Sequence, residues 1–486
     1  MGEWLLVDGR HVERVGSGEP PAADRTVHLP GTTVIPGFID AHVHLTGTGI
    51  HHAGPPLRDA RSASELLDLL AGAAKDAGDA LLAHGFDETS WGSSDLPSIA
   101  ELDRVSAKPV IAVRADGHLS LVNTPALEGS EADKLPGVEK DTQGGATGTL
   151  RREANARVQE WFHRSLPDHG VEHYQLEAAG LAASRGVTCI HEMAVPELRG
   201  MRDVEVLLTQ RSLLPVDLVP YIAVTDIPLI MDLGLQVIGG DLSLDGSIGA
   251  RTAFLSDAYA DGEGTGVRYR EDDDLTEFLH NAHLAGLQVA MHAIGDGAIE
   301  QALASWERVY HSLDSRDRRH FRARRHRIEH FEIPADGHVE RAANLGMAIS
   351  VQPSFDALWG HPGGLYERRL GLDRAARMNP FRTLLERGME VGAGSDSPVT
   401  SLDPIAGIRA FETHHDPQQR LSRGEAIRLF TSGAARLAHL EAKKGRLEPG
   451  MQADFCAYDV DPMNGAPYDD PRPVLTVSLG REVYAA

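Results

Sequence analysis

Residues 34–45, VIPGFIDAHVHL, place two histidines one residue apart at the end of an apolar run. In a β-strand successive side chains point to opposite faces, so positions i and i+2 share one. His42 and His44 can therefore aim at a single point, with Val43 turned away. Two imidazoles do not close a metal site, so the question passes to the rest of the chain.

Further along, short apolar runs alternate with helical stretches, the pattern of βα units around a parallel sheet. Strands are expected at 35–44, 186–192, 216–224, 235–244, 287–293, 326–331, 347–353 and 389–396. Eight such units point to an α/β fold of the (β/α)8 TIM-barrel type. The gap from about 46 to 185 is too long for one crossover. It contains strand-like pieces of its own, LLAHGF and KPVIAVRADG, and reads as an inserted subdomain. Both chain ends alternate and turn at glycines, as in EWLLVDGRHVERV and GRLEPGMQADFCAYD, and so read as β structure.

Chemistry on a barrel of this kind sits at the C-terminal strand ends. His42 and His44 end the first strand, His292 and His330 lie at the ends of the fifth and sixth, and Asp396 ends the eighth. Neutral imidazole and carboxylate are ligands that zinc and similar divalent ions accept. A single histidine at a strand end is commonly a hydrogen-bonded core residue, but four with an aspartate make coincidence a poor explanation. One or two divalent ions, zinc first, are expected.

The bulk numbers narrow the function. With 47 Lys+Arg against 71 Asp+Glu, the net charge is −24. Nucleic acid and anionic membrane are therefore disfavoured as partners. No apolar run approaches a membrane span, and the N-terminus lacks the basic start and long apolar run of a signal peptide. Cys189 and Cys456 stand far apart and imply no disulfide framework. The expectation is a cytoplasmic enzyme with a small-molecule substrate; whether it forms a homo-oligomer is left open.

These stretches resemble the amidohydrolase superfamily. PGFIDAHVHL matches its first-strand motif and GSDSPV its eighth-strand aspartate. Within it the chain is similar to amidohydrolase family 3, the N-substituted formamide deformylase group, through GFDETSW, DGHLSLVN, DGSIGARTA, MHAIGDGAIEQAL, RHRIEHF, SVQPS and AGSDSPVTSLDP. The resemblance implies a composite β-sandwich from 1–36 plus 440–486 and a hydrolase barrel over 37–439, with the inserted subdomain at about 80–180. It implies metal ligation by His42, His44, His292, His330 and Asp396, and hydrolysis of a non-peptide carbon–nitrogen bond. The substrate would be a small N-acyl or N-formyl compound attacked by metal-activated hydroxide. Asp396 would act as proton shuttle and His330 would support the oxyanion.

One position departs from the family. Four residues before the Asp of DG, where relatives carry a carboxylated lysine bridging two metals, this chain has Asp241. An aspartate offers a similar anion on a shorter stem. It bridges if the backbone moves inward, and otherwise leaves a one-metal site or merely forms hydrogen bonds. The one-metal case brings in an alternative, a deaminase or cyclic-amide hydrolase; a non-catalytic barrel scaffold is a third reading, disfavoured by the full ligand set.

Weaker signals remain. His118 and Asn123 in DGHLSLVN could contact substrate, or Asn123 could cap a turn. Arg251 could bind a substrate carboxylate or hold a loop by an ion pair. His191 and Glu192 follow the second strand as candidates to support a ligand histidine. Asp296 reads as a helix N-cap. No G-x-S-x-G elbow appears, which disfavours a serine hydrolase.

Overall fold

The computed structural model describes residues 2–75, 77–88, 91, 95–114, 117, 119–463 and 470–486. It divides into two compact units, Met1–Leu45 with Ala179–Val195 and Arg211–Ala486, and Thr46–Ala178 with Pro196–Gln210.

Among its described residues the first unit carries eight parallel strands, one in each of the eight segments expected. They are β1 (Phe38–Val43), β2 (Val187–Ala194), β3 (Asp217–Ile222), β4 (Val237–Ser243), β5 (Gln288–Ala293), β6 (Arg327–His330), β7 (Ala348–Val351) and β8 (Glu390–Ala393). One parallel sheet runs β3-β2-β1 and another β4-β5-β6-β7-β8. A parallel bridge between Val43 and Ser397 ties β1 to the segment after β8. Every residue of β1, β2, β6 and β7 is buried. Parallel strands covered on both faces read this way, as near-continuous apolar runs broken only where a polar group has a task.

Helices return the chain between strands. Asp272–Leu284 joins β4 to β5 with three acidic residues in its first turn, where the helix dipole favours them. Asp296–Ser312 follows β5 and buries Ile299, Leu303, Trp306 and Val309 along one stripe. Asp296 proves to be the first helical residue, with Gly295 at the cap, and its carboxylate instead accepts from the Ser256 backbone and hydroxyl.

The two ends of the chain meet in an antiparallel sheet. Thr33–Pro36 pairs with Phe455–Tyr458, which pairs with Pro473–Ser478 and then Arg481–Ala485. Trp4–Asp8 and His11–Gly16 form a hairpin. Buried Lys444 donates to Asp454 at 2.6 Å and pairs with Asp217 of β3 at 3.1 Å, binding the terminal sheet to the parallel strands.

The second unit has a five-stranded mixed sheet in the order Leu81–Phe86, Val110–Arg114, Leu119–Val122, Ala146–Arg151, Val138–Lys140. Leu66, Leu70, Phe86 and Leu119 pack in one cluster of its core, and Val113, Leu150, Val158 and Phe162 in another.

Candidate metal centre

Strand ends deliver the polar groups, but alternation alone does not aim them all. His42 and His44 share a face as the period-2 argument requires, and both Nε2 atoms approach Asp396 Oδ1, at 3.5 and 3.1 Å. His330 and Asp396 get there differently. Their φ angles are 71° and 55°, a left-handed conformation that costs a non-glycine residue of order 1–2 kcal/mol and collects at functional sites. At His330 the strand ends in a reversal, and the imidazole is swung back into the centre.

Asp241 lies in the middle. Its Oδ1 is 3.4 Å from His42 Nε2, 3.6 Å from His292 Nδ1 and 3.8 Å from His330 Nε2, and its Oδ2 is 3.2 Å from His44 Nε2. Donors about 2.1 Å from one ion stand roughly 3.4 Å apart at tetrahedral angles. The spacings here are those of the edges of a coordination shell. Three overlapping triads fit an ion: His42, His330, Asp396; His42, His44, Asp241; and Asp241, His292, His330.

Each imidazole is fixed from behind by an oxygen, so its far nitrogen must carry the proton. His42 Nδ1 donates to Glu329 at 2.8 Å and His44 Nδ1 to the Met193 carbonyl at 2.8 Å. His330 Nδ1 donates to Gln352 Oε1 at 2.8 Å, and His292 Nε2 to the Gly246 carbonyl at 3.3 Å. In the neutral imidazole each other nitrogen is then a lone pair aimed inward, the arrangement that orients ligand histidines. Buried polar atoms are nearly always satisfied. Here His42 Nε2, His330 Nε2, Asp241 Oδ1 and Asp396 Oδ1 are all buried with no hydrogen-bond partner. Four such acceptor atoms converging on one place fit a divalent cation.

Without an ion, the same carboxylates draw protons onto the imidazoles. Burial pushes these imidazoles down, but Asp241 and Asp396 outweigh it, holding His42 well above the usual range and raising His44 to about 10. At His292 burial is overcome by Asp241, then Asp245, and the result is about 9. His330 goes the other way, because burial and the His292 charge exceed what Asp241 returns. The carboxylates set up a field that stabilises positive charge at this point.

Behind the donors lies a polar network. Arg327, fully buried, forks onto Glu329 and also donates to the Ala41 carbonyl, to His191 Nδ1 at 3.0 Å and to Tyr221. Glu192 accepts from the Leu45 backbone at 2.7 Å, fixing the turn just after His44. Asp245 accepts from the backbone of Phe254, Ile294 and Gly295 at 2.8–3.0 Å and so clasps the loop that follows His292. Sequence reading missed Glu329, Gln352 and Asp245. For Glu329 and Asp245 the available signal was a carboxylate within four residues of a candidate ligand; Gln352, 22 residues from His330, carried none.

The remaining sequence candidates lie elsewhere. Arg251 is engaged by Asp261 in a fork, at 3.0 and 2.9 Å, and Arg369 shares the same carboxylate. Asn123, in the second unit, caps the helix Thr124–Gly129 through Ala126 and also bonds Val110, Ser106 and Lys108. His118 falls outside the described residues.

Parallel strands that gather four histidines and two aspartates at their C-terminal ends define a metal-dependent hydrolase. The chain belongs to the Amidohydrolase family, whose model matches residues 25–484. It is 30% identical over 497 residues to Protein LONG AFTER FAR-RED 3 of Arabidopsis thaliana, covering 93% of this chain and 82% of that protein. It is 24% identical over 509 residues to N-substituted formamide deformylase of Arthrobacter pascens, covering 96% and 90%. An uncharacterized metal-dependent hydrolase from Pyrococcus furiosus superposes with a TM-score of 0.79 at 27% identity, over 95% of each chain. The protein is thus a hydrolase of carbon–nitrogen bonds other than peptide bonds, dependent on a divalent metal and acting on a small molecule. Among the described residues no helix is long and apolar enough to cross a membrane.

Proposed function

We propose that this protein hydrolyses the amide bond of a small N-acyl or N-formyl compound, with Asp396 as the proton shuttle. The observation that carries the reading is the set of buried, unpartnered acceptor atoms on His42, His330, Asp241 and Asp396. The amide class is supported by the likeness to N-substituted formamide deformylase. The two parallel sheets make up, in this reading, the eight strands of one TIM barrel, with Thr46–Ala178 inserted in sequence after β1. The terminal strands form the composite sandwich.

His42, His44, His292, His330, Asp241 and Asp396 would hold the ion, zinc by donor chemistry. A divalent ion in such a site acidifies water and polarises a carbonyl. The protein's own residues do the rest. Asp396 accepts the proton of the attacking water and returns it to the leaving nitrogen, work of roughly 10²–10⁴-fold in rate. With its Nδ1 proton committed to Gln352, His330 would present Nε2 to the ion. The fixed second nitrogens of all four imidazoles keep the centre from reorganising as charge develops.

The test is a panel of N-formyl and N-acyl amines with zinc-reconstituted protein. Carboxylate and free amine should appear, and Asp396→Asn should lose at least a hundredfold in turnover. Ammonia released from aminated heterocycles, with no acid from any linear amide, would overturn the assignment in favour of a deaminase. Near-normal turnover in Asp396→Asn would remove the shuttle.

A further inference from the structure

The reach of Asp241 needs an explanation, because an aspartate stem is short and this one approaches four imidazoles from three different strand ends. The ladder between β4 and β5 shows how it is done. Gly239 pairs with Ala290, but the next pair along is Ser243 with His292. Four residue steps on β4 thus answer two on β5, and Asp241 stands in the middle of the excess. A bulge of this kind bends the strand and re-aims a side chain. Because two residues are inserted rather than one, the alternation keeps its phase beyond the bulge.

Two glycines open it. Gly239 and Gly240 have φ of 94° and 80°, values that residues with a Cβ seldom adopt. Space is closed to them as well. A Cβ on Gly239 would collide with the Ala290 carbonyl oxygen, and one on Gly240 would lie 2.6 Å from Met193 Sδ and 2.8 Å from Tyr221 Cβ. The backbone has moved against the neighbouring strands where only glycine fits.

We infer that the Gly239–Gly240 bulge is a positioning device, which carries the short Asp241 side chain into the centre so that one carboxylate meets all four imidazoles. Its two oxygens then face different partners, Oδ2 toward His44 and Oδ1 toward His42, His292 and His330. The inference rests on the proposed metal centre, and it adds that stem length and backbone excursion are matched to each other.

A matched pair predicts a reversal of sign between two substitutions. The probe is Mn²⁺ alone, followed by titration calorimetry and by the electron paramagnetic resonance of the bound ion, with circular dichroism as a check on folding. Gly240→Ala withdraws the bulge and should weaken Mn²⁺ binding at least tenfold, as should Asp241→Ala. Asp241→Glu in the native bulge overshoots and should weaken it by a similar factor. Combining Gly240→Ala with Asp241→Glu should restore binding to within about threefold of the unaltered protein. Folded Gly240→Ala with native Mn²⁺ affinity, or losses that simply add in the double variant, would overturn the device. If Gly240→Ala does not fold, Asp241→Glu alone decides, and native affinity in that variant overturns the inference. Should the unaltered protein take up no Mn²⁺, the metal-centre reading falls and the inference with it; the variants' failure alone leaves that reading standing.

Discussion

Glu329 offers the sharpest test of how the centre is held. Its Oε2 accepts from His42 Nδ1 and from Arg327 Nη2, both at 2.8 Å, and all three side chains are fully buried. Glu329→Gln keeps the shape, and its carbonyl oxygen can still accept from His42. The amide NH₂ must then face the guanidinium, donor against donor, and Arg327 is left as a buried cation without its anion. Removing one partner of a buried ion pair costs about 3–5 kcal/mol. The same change weakens the charge-assisted bond that orients His42, and losses of this kind reduce metal affinity roughly 10–100-fold. Urea unfolding of the metal-free protein should register the first effect and zinc titration calorimetry the second. Combining it with Arg327→Met removes the stranded cation. That double variant should recover most of the stability while zinc binding stays weak. If Glu329→Gln unfolds at the native urea concentration and binds zinc within twofold of normal, the network is not what holds His42. A double variant that recovers both properties together would refute the separation of roles.

Other consequences can be measured independently. His326 is buried, stacked on Trp306 at 4.0 Å, with Nδ1 accepting from the Val289 backbone, and burial holds it well below the usual imidazole range. The unfolded chain therefore binds the extra proton, and stability should fall as pH drops below about 6.5, by up to ~1.4 kcal/mol per pH unit for this group; urea midpoints between pH 7 and 5 should show less slope in His326→Gln. Asn123→Ala removes four hydrogen bonds, one of them a helix cap, and should destabilise the second unit by about 2–4 kcal/mol, read by its protection from hydrogen exchange. Lys444→Ala strands Asp454 and Asp217 and should cost about 3–5 kcal/mol in urea unfolding, whereas Lys444→Met with Asp454→Leu should recover much of it.

The strands and the histidines that converge on the centre were legible because their signals are local. Apolar runs of strand length stand between helical stretches, and these histidines sit at the run ends. The supporting groups were not legible, for a physical reason visible in RIEH. Glu329 is next to His330 in sequence, yet it serves His42 across the strands, while His330 is served by Gln352 of the following strand end. Which residue backs which ligand depends on strand neighbours and on left-handed reversals, neither of which period-2 alternation encodes. Asp241 posed the same difficulty. Its short stem leaves bridging, one-metal and plain hydrogen-bonding roles open in the sequence, because the glycine bulge that sets its reach is a matter of strand register. The terminal sheet was partly legible: of GRLEPGMQADFCAYD, only Phe455–Tyr458 forms a strand.

His42 and Asp396 come from the first and last of the eight parallel strands' ends, with Asp241, His292 and His330 between them in the chain. With the proposed ligand set, a nascent polypeptide cannot capture its ion until nearly the whole parallel unit has been made. Once captured, the ion acts as a clasp on the assembled fold: at a thousandfold excess over its dissociation constant it adds about 4 kcal/mol to the folded state. The lifetime of this protein against unfolding and proteolysis is thereby tied to the free-metal level of its surroundings, and a metal-starved cell should lose the chain as well as the activity.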